Sequence, residues 1–152
     1  YPTIADRSGR VVMGSSQGGR GTGRYVFSHP DLFATAITLA GGFHFEKIID
    51  ENEGVESEYL TIPDGKNNAF NNASVYASRT DAPEVRLMVV IGNEDDNYRG
   101  NLDWSMYLHE LKIPHELVVV PGTGHGIKWS IEDTDERIYR FIKHSLTHFK
   151  NP

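Results

Sequence analysis

Four short apolar runs punctuate an otherwise polar chain of 152 residues. They are Arg10-Val11-Val12-Met13, "FATAITLAGGF" from Phe33 to Phe43, "RLMVVIG" from Arg86 to Gly92 and "HELVVVPG" from His115 to Gly122. Each is rich in β-branched residues and bounded by turn formers, which predicts a buried strand. Between them the apolar spacing turns helical. Gln17 to about His29 reads as a helix, stopped at His29 because the proline that follows disfavours helical geometry there. "NLDWSMYLHELK" carries Leu102, Met106, Leu108 and Leu111 at near-helical intervals, and Ile127 to Phe149 contains a last helix with Ile138, Phe141, Ile142 and Leu146 on one face. Strands alternating with helices predict an α/β fold with a mostly parallel sheet covered on both faces. Two stretches break the rhythm. "TIADRSG" reads as the last turns of a helix ending at Gly9. The polar segment from His44 to Glu84, with its acids and its asparagines Asn67, Asn68, Asn71 and Asn72, exceeds an ordinary connection and predicts a lid-like insertion of short helices.

In such a sheet, ligands sit beyond the carboxyl ends of the strands, so the residues at those ends decide the chemistry. Behind the first strand stands Gly14-Ser15-Ser16-Gln17-Gly18, a G-x-S-x-G sequence in which a serine sits on a sharp strand-to-helix turn. With 15 glycines and 10 serines, about one chain in ten of this composition would show it by chance, so the motif needs its context. Glycines two before and two after are expected because a side chain there would strike the turn. Gly18, Gly19, Gly21 and Gly23 each cost a helix roughly 1 kcal/mol relative to alanine, so close backbone approach is expected there. Behind the second strand stands Gly41-Gly42, behind the third Gly92-Asn93-Glu94-Asp95-Asp96, and behind the fourth Gly122-Thr123-Gly124-His125. Serine, acid and histidine at three strand ends, in that chain order, match the order of α/β-hydrolases. Ser16 is then the expected nucleophile against the plainer reading of a turn serine, and His125 the base that takes its proton and returns it to the leaving group. Asp95 or Asp96 holds the imidazole; the spacing from Gly92 favours Asp95 and leaves Asp96 as a cap or loop acid. The Gln17 N–H, at the positive end of its helix, is the expected oxyanion donor. His29, His44, His109, His115, His144 and His148 read as surface or packing residues, although His44 could line a pocket.

Composition narrows the partners. The chain is 38% apolar and 24% charged, which is ordinary for a globular domain, and no apolar run approaches 18 residues, so no membrane span is expected. A net charge of −6 without a basic stripe argues against nucleic acid. The absence of cysteine excludes disulfides, thiolate metal sites and a cysteine nucleophile. It leaves the compartment, secreted or cytoplasmic, undetermined.

"YPTIADRSGRVVMGSSQGG" with "SHPDLFATAITLAGGF", and the later "VVIGNEDDNYRGNLDWSMYLHELKIPHELVVVPGTGHG", resemble the esterase group of α/β-hydrolases that includes feruloyl and acetylxylan esterases, S-formylglutathione hydrolase and enterochelin esterase. The likeness covers most of the chain outside about residues 44–84. It implies the α/β-hydrolase fold, the triad Ser16, Asp95 and His125, no cofactor, and a small-molecule or carbohydrate-linked ester as substrate. Members of that group carry several strands before the elbow, including the one whose loop completes the oxyanion hole. By that resemblance residues 1–152 are the C-terminal portion of one such domain, incomplete as an enzyme on its own and partnered by the missing N-terminal half. Peptidase or acyltransferase chemistry uses the same triad, and a non-catalytic binding or scaffold role is the alternative from another class. Tyr59, Phe70, Tyr76 and Trp129 are candidate pocket walls, with ordinary packing as the plainer reading.

Overall fold

The computed structural model describes residues 4–43, 46–51, 56–61, 68–126 and 134–150. His44, Trp129, the side chain of Tyr59 and the beginning of the last predicted helix lie outside them. The four apolar runs form β1 (Val11–Ser15), β2 (Thr35–Leu39), β5 (Arg86–Gly92) and β6 (His115–Val120), all parallel, in the spatial order β1-β2-β5-β6. Ser15 lies beside Leu39, Leu39 beside Val90 and Val90 beside Val118, so the strands end nearly level. That register gathers the four loops at the carboxyl edge into one region.

The two central strands, β2 and β5, are buried almost throughout because both of their faces are covered. On one face Ala36, Leu87 and Val89 pack against Val26 and Phe27 of α1 (Gln17–Ser28), Ala73 of α2 (Ala69–Ser78), and Trp104 and Leu108 of α3 (Tyr98–Glu110). On the other face Ile37, Leu39, Met88, Val90, Val118 and Val120 meet Ile138 and Phe141 of α4 (Asp135–Lys150). Successive residues of one strand thus serve opposite layers. Trp104, fully buried, is the hub of the first layer: it stacks on Phe43 with ring centres 4.8 Å apart and takes Phe27 and Phe70 edge-on. The outer strands are less protected, and Met13 on β1 is 49% exposed while Leu117 and Val119 on β6 are partly exposed.

Two expectations need correction. The segment before β1 is not the end of a long helix among the described residues: Asp6 accepts from the Ser8 N–H and caps a single 3-10 turn, Arg7–Gly9. Arg7 then ties that turn to the body through the carbonyls of Pro30 and Glu84. The polar segment is not purely helical either. It holds an antiparallel hairpin, β3 (Glu46–Glu51) with β4 (Glu56–Thr61), before α2. The apolar alternation in the hairpin is too weak to register beside its acids, whereas Asn68 announces α2 by accepting from the Phe70 and Asn71 N–H groups.

Candidate active site

The turn after β1 is strained in a defined way. Ser16 has φ 54° and ψ −116°, a left-handed conformation that non-glycine residues rarely adopt. Its N–H donates to the Leu39 carbonyl at 2.8 Å, which locks the turn to the neighbouring strand. The two motif glycines differ. A Cβ on Gly14 would stand 2.4 Å from the backbone of Gly18, so only hydrogen fits. A Cβ on Gly18 would meet nothing within 4 Å, which corrects the expectation that both positions exclude a side chain. Farther along α1, Gly19 faces the Leu39 carbonyl and Gly23 faces the Phe43 ring, each too close for a Cβ, while Gly21 has room. Half of the helical glycines therefore serve close approach.

Ser16 Oγ lies 3.0 Å from His125 Nε2, and His125 Nδ1 lies 2.9 and 3.1 Å from the two oxygens of Asp95. A carboxylate can only accept, so Nδ1 carries the hydrogen and Nε2 is left to accept from the serine hydroxyl. The Asp95 side chain is 0% exposed and that of His125 42% exposed, so the chain of hydrogen bonds runs from an interior anion outward to an accessible ring. Asp95 also accepts from the Asn97 N–H at 2.7 Å. Asp96 is exposed and makes no contact with His125 among those described. Glu94 is exposed as well. Gln17 opens α1, where first-turn N–H groups have no acceptor within the helix.

The loops that carry the acid and the histidine brace each other. The Gly122 N–H donates to Asn93 Oδ1 at 2.7 Å and the Glu94 N–H to the Thr123 carbonyl at 2.9 Å. A Cβ on Gly92 would fall 2.2 Å from that carbonyl, which is why the acid loop begins on glycine. Two further residues support the site without belonging to its motifs. Buried Asn97 donates to the Ala40 carbonyl at 3.0 Å and buried Asn101 to the Gly41 carbonyl at 2.7 Å, joining the acid loop to the end of β2. Their signal was the four-residue spacing directly after the acid, which sets both amides on one helical face. Tyr76 is a packing residue, its ring against Phe27 and its hydroxyl on the Pro83 carbonyl.

Two clefts among the described residues, of about 150 and 410 Å³, are lined by residues such as Arg86, Glu116, Phe141 and His144, and neither lining includes Ser16. Among the described residues no cluster of three metal-ligating side chains occurs, and no helix is long and apolar enough to cross a membrane.

The fold has counterparts among known proteins. The fold is similar to that of S-formylglutathione hydrolase from Staphylococcus aureus, with a TM-score of 0.68 at 21% identity over 96% of this chain and 54% of that one. A ferulic acid esterase gives 0.70 at 19% identity, covering 94% of this chain and 54% of its own. Dipeptidyl peptidase 4 from Porphyromonas gingivalis gives 0.66 at 18% identity, covering 91% and 20%. The chain thus spans about half the length of the first two. No curated protein matches it. The model of the prolyl oligopeptidase family matches residues 2–149. With nearly its whole length matched and its sheet superimposing on α/β-hydrolases, the chain belongs to the prolyl oligopeptidase family and has the α/β-hydrolase fold.

Proposed function

We propose that this chain carries the catalytic centre of a serine hydrolase that cleaves carboxylic esters through an acyl-enzyme on Ser16. The observation that carries the reading is the continuous hydrogen-bonded path from Asp95 through His125 to Ser16, with the serine on a strained turn at the head of α1. In the first step Oγ attacks the carbonyl carbon as His125 Nε2 takes its proton. The tetrahedral oxyanion points to the Gln17 N–H and the positive end of α1. Collapse breaks the bond to the leaving oxygen, which receives the proton from Nε2. Water, deprotonated by the same nitrogen, then releases the acid and restores Ser16. Asp95 fixes the tautomer and stabilises the imidazolium without itself taking the proton. No cofactor takes part in these steps. A small-molecule or carbohydrate-linked ester is the substrate this reading favours, and segments outside these 152 residues supply the remaining oxyanion donor and pocket walls.

The family match supports a second reading, in which the same triad cleaves a peptide bond. Both predict that a fluorophosphonate labels the full-length protein once and that Ser16→Ala abolishes the adduct. An intact-mass measurement reads it directly; persistence of the adduct in the variant would assign the nucleophile elsewhere. Turnover of an aryl ester against a peptide anilide of the same acyl group then separates esterase from peptidase.

A further inference from the structure

Asparagine is common just ahead of a helix because its side chain can accept from the first-turn N–H groups. Asn97 stands at that position before α3 and makes no such bond. It is 3% exposed, and its amide reaches across to the Ala40 carbonyl at 3.0 Å instead. Asn101, one turn on and fully buried, donates to the Gly41 carbonyl at 2.7 Å and to the Asn97 carbonyl at 2.9 Å, which ties the two asparagines into one clamp. Its Oδ1 has no partner among the described residues, so its donors are kept at the cost of an unpaired buried acceptor. The clamp closes on a strained turn. Ala40 has φ 48°, a left-handed conformation that persists in a residue other than glycine only where the surroundings over-determine it. Here the Ala40 N–H donates to the Val90 carbonyl at 2.8 Å, and the Asn97 amide holds the Ala40 carbonyl from the other side.

The turn held in this way carries the elbow. The Ser16 N–H donates to the Leu39 carbonyl, immediately before Ala40, and a Cβ on Gly19 would lie 2.8 Å from that same carbonyl and 3.0 Å from Gly41 Cα. The head of α1 therefore rests on residues 39–41 at two points. The backbone N–H of Asn97 meanwhile donates to Asp95 Oδ1 at 2.7 Å. One residue thus reaches toward both ends of the path from Asp95 to Ser16. We propose that Asn97, assisted by Asn101, is a positioning residue for Ser16: its side chain fixes the turn on which the elbow rests while its N–H fixes the acid, so that Oγ stays within reach of His125 Nε2. This rests on the serine hydrolase reading of Ser16. Both asparagines act through the backbone of β2 and not on the reacting atoms. A misplacement of about 1 Å at a reacting group costs on the order of 10² in rate, so a small release of the turn is enough to be measured.

The test follows fluorophosphonate labelling of the full-length protein by intact mass, and reads separately the fraction labelled at completion and the rate constant at saturating probe. Asn97→Ala keeps the N–H on Asp95 and removes the amide from the Ala40 carbonyl. We expect this variant to label to the wild-type extent at a rate constant about ten- to a hundredfold lower, with the half-saturating probe concentration within about twofold. On 4-nitrophenyl butyrate kcat should fall in step while KM holds. Asn101→Ala should show the same pattern at smaller size, and it carries the readout if Asn97→Ala does not fold. Labelling at the wild-type rate constant, whether complete or to a reduced extent, overturns the proposal, because a purely structural role changes how much protein is folded and not how fast the folded serine reacts. If the wild-type protein forms no adduct, the hydrolase reading fails on its own. Crystal structures of the wild type and Asn97→Ala then decide the positioning: Ser16 Oγ drawn out of hydrogen-bond reach of His125 Nε2 in the variant upholds it, and an unmoved elbow rejects it.

Discussion

Among the described residues two serine–histidine hydrogen bonds occur, and they differ in everything except the bond. Ser16 Oγ lies 3.0 Å from His125 Nε2 at the carboxyl edge of the sheet, and Ser105 Oγ lies 2.7 Å from His115 Nε2 between α3 and the start of β6. In the first pair the other ring nitrogen meets the carboxylate of Asp95; in the second it meets the carbonyl of Ile113 at 3.0 Å. Both arrangements fix the same tautomer, because neither a carboxylate nor a carbonyl can donate. Only the carboxylate brings a charge that stabilises an imidazolium. Ser105 lies within the regular turns of α3, where the leading N–H groups are already committed to helix bonds, whereas Ser16 sits before the open N–H groups of α1. A serine beside a histidine is therefore a common way to satisfy two polar groups. The charge behind it and the dipole ahead of it are what the proposed nucleophile has and Ser105 lacks.

The largest way to break that contrast is to give the first pair the electrostatics of the second. Asp95→Asn keeps the shape but removes the charge and lets Nδ1 accept, so the tautomer that exposes Nε2 to the serine proton is lost. We expect kcat to fall on the order of 10⁴-fold. Asp96→Asn, whose side chain stands in solvent, should leave kcat within about twofold. Steady-state rates on one aryl ester measure both; a larger loss at position 96 would transfer the role of the acid to Asp96.

This contrast also shows what was legible in the sequence. Ser16, Asp95 and His125 were readable because each follows a strand whose composition announces it, and a parallel sheet delivers its carboxyl ends to one place. The choice between Asp95 and Asp96 was only leaned upon by spacing, since two adjacent residues in a loop differ by which one the backbone turns inward. Here the Asn97 N–H and the Asn93 and Gly122 contact make that selection. The hairpin of β3 and β4 was not legible, because strands with little apolar alternation resemble loops.

The two glycines of the elbow give a second, smaller test. Gly14 supports the strained serine by letting the backbone of Gly18 approach, and nothing comparable underlies Ser105. Gly14→Ala would press a methyl to 2.4 Å from backbone atoms that belong to a helix and have no rotamer to yield. We expect a loss of about 3 kcal/mol in unfolding free energy, with any turnover of the aryl ester falling further as the elbow shifts. Gly18→Ala meets open space within a helix and should stabilise by about 0.5–1 kcal/mol. Urea unfolding of both variants decides it; equal destabilisation would mean that the elbow tolerates neither residue and that the open space at Gly18 is filled in the folded protein.

The smallest effect belongs to the second pair itself. Ser105→Ala removes one hydrogen bond and leaves His115 half-buried with its Nδ1–H still on the Ile113 carbonyl. A net hydrogen bond is worth about 1 kcal/mol, and water can reach an intermediate site to replace the lost hydroxyl, so about 0.5–1 kcal/mol of stability should go. Catalysis should not change beyond about twofold, because α3 meets the site through Asn97 and Asn101 at its opposite end. A fluorophosphonate adduct on Ser105, or a loss of rate near that of the Asp95 variant, would show that a serine–histidine bond suffices for reactivity without a carboxylate behind it. An unchanged rate with a small fall in stability would leave the charge on Asp95 as what separates the two pairs.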